Sequence, residues 1–146
     1  MGMKFVLASL AKGKEASQFF PDVVKNVVVR NIEIKKMVYI YLVQYADYNE
    51  TCRELALLSI NTFQTDMGDV NQLFRAMSLR VLTSVRVADI LAIQILATKK
   101  CSNDSSPYVR KCSATALAKL YSMIQHYASD EVDINEIKYQ LIMILE

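Results

Sequence analysis

The chain has 146 residues, 53% of them apolar and 22% charged, with a formal net charge of +2. That length suits one domain or about three to four repeats of ~40 residues, and no uncharged apolar run approaches the ~20 residues of a membrane-spanning helix. Residues 1–36 hold seven Lys/Arg against three Asp/Glu, while residues 130–146 hold one Lys against five Asp/Glu, so the front end is the candidate for an acidic partner or anionic membrane; with no Trp and no nucleic-acid motif, DNA or RNA binding has no support.

The N-terminus, MGMKFVLASLAKGK, has a short apolar stretch followed by Lys12 and Lys14. It lacks the layout of a signal peptide, which predicts a cytosolic protein. Three glycines and two prolines are too few for strands, which need turn residues every 8–12 positions or so. The spacing predicts helices over 3–11, 16–30, 32–46, 51–65, 70–86, 88–101, 106–125 and 131–145. Pro21 suits a first helical turn, where its missing N–H has no intrahelical partner, and Asn31 marks a corner. In 31–46, Ile34, Val38, Tyr41, Leu42 and Tyr45 form one stripe. Val70, Phe74, Met77 and Val81 form a second; Val109, Cys112, Ala116, Leu117, Leu120 and Ile124 form a third. Polar connections lie at 47–50, at 66–69 and, most clearly, from Ser102 to Pro107.

The corners open similar segments. NIEIKKMVYIYL (31–42), NQLFRAMSLRVL (71–82) and PYVRKCSATAL (107–117) each carry an apolar–basic pair: Ile34–Lys35, Phe74–Arg75 and Val109–Arg110. The pairs sit 40 and 35 residues apart. That period, with two helices per repeat, predicts an all-α solenoid of about 7–8 helices, the α–α superhelix of HEAT and armadillo arrays. One helical hairpin cannot bury both faces, so stacked neighbours make the core. The repeats are expected at about 14–46, 51–86 and 88–125, with a partial one at 131–146. Helix 88–101, apolar over much of its circumference, fits contact on two sides. The closing YQLIMILE is apolar and uncapped, which leads to the expectation that the natural chain continues past Glu146 and begins before Met1. Arg75 and Arg110 admit a reading as phosphate contacts, but pairing with a carboxylate or carbonyl of the scaffold is the stronger one.

No catalytic constellation emerges. Cys52, Cys101 and Cys112 are widely spaced and odd in number, so neither disulfides nor a zinc site is expected. His126 stands near a helix end, where a positive charge is favourable. Asp66 with Asp69, or Asp130, Glu131 and Asp133, make poor calcium sites. No catalytic residue, metal or cofactor is predicted, and the function class is protein binding. The better lead is helix 51–65. At 100° per residue, Leu55, Ala56, Ser59, Thr62 and Phe63 share an inward side. Leu57 falls among Arg53, Asn61 and Gln64, with Ile60 at the border. Together, Leu57 and Ile60 are candidate anchors for a partner.

The run AKGKEASQFFPDVVKNVVVRNIEIKKMVYIYLVQYA (11–46), with ELALLSINTFQ (54–64), DVNQLFRAMSLRVLTSVRV (69–87) and SPYVRKCSATALAKLYS (106–122), resembles the N-terminal trunk of β-adaptins. These are large subunits of the heterotetrameric adaptor complexes that sort cargo into transport vesicles. AKGKEAS, VVKNV and LALLSI are most like the β subunit of the third adaptor complex. Val70 departs from the family's usual proline, and the match weakens after Tyr121. The resemblance implies a non-enzymatic scaffold that packs with the other large, medium and small adaptor subunits. It implies a cytoplasmic protein, peripheral on Golgi or endosomal membranes and coated vesicles. It also implies docking to an Arf-family GTPase, at positions matching Leu57 and Ile60, and contact with acidic lipid headgroups, for which Lys12, Lys14, Lys35 and Lys36 are candidates. A rival reading is a HEAT-repeat peptide-binding or regulatory scaffold outside coat assembly, as in nuclear transport. An armadillo peptide receptor would repeat Asn and Trp along its groove, and the chain has no Trp.

Overall fold

The computed structural model describes residues 2–127 and 142. In chain order the elements are α1 (Gly2–Ala11), α2 (Phe20–Val24) flanked by 3-10 turns at Ser17–Phe19 and Lys25–Val28, α3 (Ile32–Tyr45), α4 (Glu50–Leu58), α5 (Ile60–Asp66), α6 (Gln72–Leu82), a 3-10 turn at Ala88–Ile90, α7 (Leu91–Ser102) and α8 (Pro107–Tyr127). Among the described residues there is no strand, and no helix is long and apolar enough to cross a membrane. The helix expected over 131–145 lies, residue 142 apart, outside the described residues. The chain divides into two compact units, Met1–Phe63 and Gln64–Glu146.

Asparagines start the helices after the corners. Asn31 accepts from the backbone N–H groups of Glu33 and Ile34 at 3.0 and 3.2 Å. Asn49 accepts from Cys52 N–H at 2.8 Å, and Asn71 from Leu73 N–H at 2.9 Å. Each satisfies donors that the first helical turn leaves unpaired. α1 ends differently. Gly13 takes a left-handed φ of +70°, its N–H reaches Leu10 C=O at 2.9 Å and Lys14 N–H reaches back to Ser9 C=O at 3.1 Å. That close needs a residue without a Cβ penalty.

In the first unit α3 packs against α1 and α2, and α2 against α4. Val38, Tyr41, Leu42 and Tyr45 of the α3 stripe are buried. The two tyrosines hold the backbone of the fully buried Ala16: the Tyr41 hydroxyl donates to its carbonyl, and its N–H donates to the Tyr45 hydroxyl at 3.1 Å. Phe20, Tyr41 and Tyr45 stack in sequence, with ring centroids 6.0 and 4.9 Å apart. Burial raises the Tyr41 phenol well above its ordinary pKa, so it stays a donor. Tyr41→Phe is expected to leave the buried Ala16 carbonyl unpaired and to cost about 1–3 kcal/mol, read as a lower denaturant midpoint with unchanged slope.

The single helix expected over 16–30 is instead one α turn between two 3-10 turns. Val29 N–H reaches Asn26 C=O at 3.2 Å, an i−3 bond, and Val29 itself is extended, which ends the segment before Asn31. Val70 is not part of the α6 stripe: it precedes the helix and is 99% exposed.

In the second unit α7 packs against both α6 and α8, and α8 also against α6. Leu91 and Ile95 meet Leu120, Met123 and Ile124 in one apolar cluster. This explains an α7 buried on two sides, with Leu91, Gln94, Ile95, Ala97, Thr98 and Cys101 all inside.

Candidate functional site

In α4 the inward face is Cys52 and Ala56, and Arg53 is tied outward to Asp47 at 2.6 Å. The helix is interrupted at Ser59, whose N–H bonds to Ala56 C=O at 3.0 Å, an i−3 partner. A 3-10 step advances about 120° per residue rather than 100°, so positions after Ser59 are offset from their places on an unbroken wheel. Leu57, before the break, is half-buried. Ile60, after it, is 9% exposed and belongs to the core with Phe63, whose ring meets Tyr39 edge-on at 5.4 Å. Ile60 is therefore not a surface anchor. The outward apolar side chain is Leu58, 73% exposed, on the side of α4 away from Cys52 and Ala56.

The four lysines separate likewise. Lys12 and Lys14 are exposed on either side of the Gly13 turn, which brings them onto one short segment. Lys36 is exposed and paired with Glu33 at 3.1 Å. Lys35 is corrected: it is 1% exposed, with its ammonium 5.9 Å from the Tyr39 ring centre, and cannot reach a headgroup.

The reason lies in the register of the helix starts, since Lys35, Arg75 and Arg110 each lie four positions after the residue that precedes a helix (Asn31 before α3, Asn71 before α6, Ser106 before α8). Arg75 binds Asp104 through a two-pronged contact, Nε to Oδ2 and Nη2 to Oδ1, both 2.9 Å. Its Nη1 donates to the carbonyls of Asp69 and Val70 at 2.8 and 2.9 Å. Arg110 repeats the second half of this pattern on Asp104 and Ser105 C=O, at 2.7 and 3.1 Å. Both arginines thus fasten the polypeptide five and six residues before them, which is a scaffold role and not a phosphate site.

Among the described residues no group of three His, Cys, Asp or Glu side chains is placed to hold a metal. All three cysteines are buried and unlinked. Burial pushes the Cys101 thiol up to about 11, so at pH 8 roughly one in a thousand Cys101 side chains is the reactive thiolate. Thiol reagents are expected to label Cys101 only as fast as the protein opens, and denaturant should bring Cys101 and Cys112, both in the second unit, into reach together.

Comparison with known proteins gives these surfaces a context. Residues 2–142 match the family described as Adaptin N terminal region. The chain belongs to this adaptin family. Its fold is the all-α, HEAT/armadillo-type solenoid expected from the repeat. This adaptin chain is 51% identical over 144 residues, 99% of its length, to mouse AP-3 complex subunit beta-2. It is 57% identical over 121 residues, 83% of its length, to human AP-3 complex subunit beta-1. Mouse AP-1 complex subunit beta-1 is more distant, at 37% over 136 residues and 93% of the chain. The likeness is thus to β subunits of the third complex over the first. The chain spans 12%, 11% and 14% of the lengths of these relatives.

Proposed function

We propose that the chain is a slice of a β-type scaffold subunit in a vesicle-coat adaptor complex, acting in intracellular protein transport by binding other proteins and catalysing no reaction. The match over 99% of the chain to an AP-3 complex subunit carries this reading. The partners are the other large, medium and small adaptor subunits, and the location is cytoplasmic, peripheral on Golgi or endosomal membranes. Co-expressing the intact subunit with the other three subunits tests it. The expected result is a stoichiometric complex that survives gel filtration, and a subunit recovered alone would refute it.

Within that complex the outward end of α4 is the proposed contact for an Arf-family GTPase, with Leu57 and the newly identified Leu58 as apolar anchors and Ile60 acting from beneath. An exposed leucine next to a half-buried one can seat in a partner pocket. Leu58→Asp is expected to weaken GTP-dependent binding by at least about tenfold while leaving the melting temperature unchanged, because Leu58 touches little. Ile60→Asp, by contrast, puts a carboxylate in the core and should unfold the unit rather than probe its surface. Full GTPase binding by a folded Leu58→Asp complex, with Leu57→Ala equally silent, would remove the site. Lys12 and Lys14, on their shared turn, are the proposed contacts for acidic headgroups.

A further inference from the structure

A groove of about 220 Å³ lies between α6 and α8 in the second unit. Arg80 lines it from α6, and Lys111 and Lys119 line it from α8, joined by the hydroxyl-bearing Tyr108 and Thr115. Its floor includes Cys112 and Ala116, both buried. Among the described residues no carboxylate lines it. Lys111 and Lys119 are eight residues apart on one helix, which sets them about 12 Å from each other along the axis, and Arg80 stands across from them.

Among the described residues the cations are poorly compensated. Among these residues the Lys119 ammonium donates to one neutral partner, the Ser84 hydroxyl, at 2.7 Å, and that hydroxyl itself donates to Arg80 C=O at 2.6 Å. Burial, followed by the positive charge of Arg80, lowers the Lys119 pKa. An anion in the groove would relieve both costs at once. At ~30 Å³ per water, the groove holds several waters, more room than one small ion fills. Charges spaced along its length suit successive anionic groups on an extended chain, which advances about 3.3 Å per residue, better than a single phosphate.

We propose that the α6–α8 groove binds an extended acidic peptide segment of a partner protein, its carboxylates meeting Lys111, Arg80 and Lys119 in turn. This surface draws on neither the α4 leucines nor the front lysines and stands whether or not the adaptor reading does.

The test is fluorescence polarisation of the full chain with a labelled octapeptide of alternating glutamate and serine, beside its glutamine–serine counterpart. Saturable binding of the acidic peptide alone is expected. Lys111→Glu, at an exposed position that leaves the fold untouched, should weaken it about tenfold or more, and Lys119→Gln should weaken it as well. Lys100→Glu, the same charge change on the exposed face of α7, should shift affinity by no more than about twofold. Equal losses at Lys100 and Lys111, equal binding of the neutral peptide, or no saturable binding would overturn the proposal. So would phosphatidylserine vesicles that bind through Lys111 while the peptide does not.

Discussion

Replacing Arg75 with alanine is expected to lower the unfolding free energy of the second unit by roughly 1.5–3 kcal/mol. Four hydrogen bonds converge on this guanidinium, two to the Asp104 carboxylate and two to the carbonyls before α6. The side chains of the pair are only 14% and 12% exposed, so the truncated site would leave a largely desolvated carboxylate without its cation. Loss of one member of such a pair costs far more than loss of a surface ion pair, which is typically worth under ~1 kcal/mol. Arg75→Lys keeps the charge but has no planar fork, and a single ammonium cannot serve both carboxylate oxygens and two carbonyls. It should recover no more than about half of the deficit.

The pH dependence follows from the same contact. The Arg75 guanidinium, hydrogen-bonded to Asp104, holds that carboxyl below its ordinary range. The stabilisation is therefore fully present above the unfolded carboxylate pKa of about 3.9 and is lost as pH falls through the lower, folded value. The gap between wild type and Arg75→Ala should be constant from pH 5 to 8 or so and narrow under acid to the part contributed by the two carbonyl bonds. Urea titrations of both proteins at neutral and acid pH measure it. A gap under about 1 kcal/mol at neutral pH, or one that Arg75→Lys closes completely, would show that the fork carries no particular weight.

The same residue shows what the sequence makes readable. An apolar–basic pair soon after each corner is visible in the one-dimensional pattern, as are the stripes that become the buried Tyr41, Leu42, Leu120 and Ile124. Periodicity reports a helix that buries one face, and these helices do. It fails where i−3 bonding replaces i−4. At Ser59 and across 16–30 the winding is set by which backbone carbonyl happens to be in reach, and no side-chain pattern records that. Ile60, at the border of the wheel, is covered by the rest of its unit and lies in the core, while Leu58, opposite Cys52 and Ala56 on the same wheel, faces out. Lys35 illustrates a different limit. Lysine is normally exposed, and only its register equivalence with Arg75 and Arg110 hints that it turns inward. Contacts across long sequence separations, such as Tyr41 and Tyr45 on Ala16, leave no local signal at all.

Gln94 is such a contact, and Gln94→Glu is expected to be among the most damaging isosteric changes available. The residue is fully buried in α7, and its amide nitrogen donates to Leu82 C=O at 2.7 Å and Val85 C=O at 2.8 Å. Leu82 is the last residue of α6, where helical partners run out, and Val85 lies in the connection just beyond it. Two acceptors in that position dictate a donor between them, which an ionised carboxylate cannot be. The variant can fold only with the acid protonated, and holding it so at pH 7 against an unfolded pKa of about 4.3 costs roughly 3.7 kcal/mol. A neutral acid donates once, so one carbonyl stays orphaned at about 1–3 kcal/mol. The total is about 5–7 kcal/mol at pH 7 and only the second part near pH 4. Because the folded pKa is raised, the deficit must grow as pH climbs above the unfolded value, by about 1.4 kcal/mol per unit until the folded value is reached. This is opposite in sense to the acid sensitivity of the Arg75–Asp104 pair. Gln94→Leu orphans both carbonyls but carries no proton, so its deficit should be flat with pH. Denaturant titrations of the two variants between about pH 4 and 8 discriminate them, and a Glu variant whose stability ignores pH would mean that the two carbonyls have found other donors and that Gln94 does not hold them.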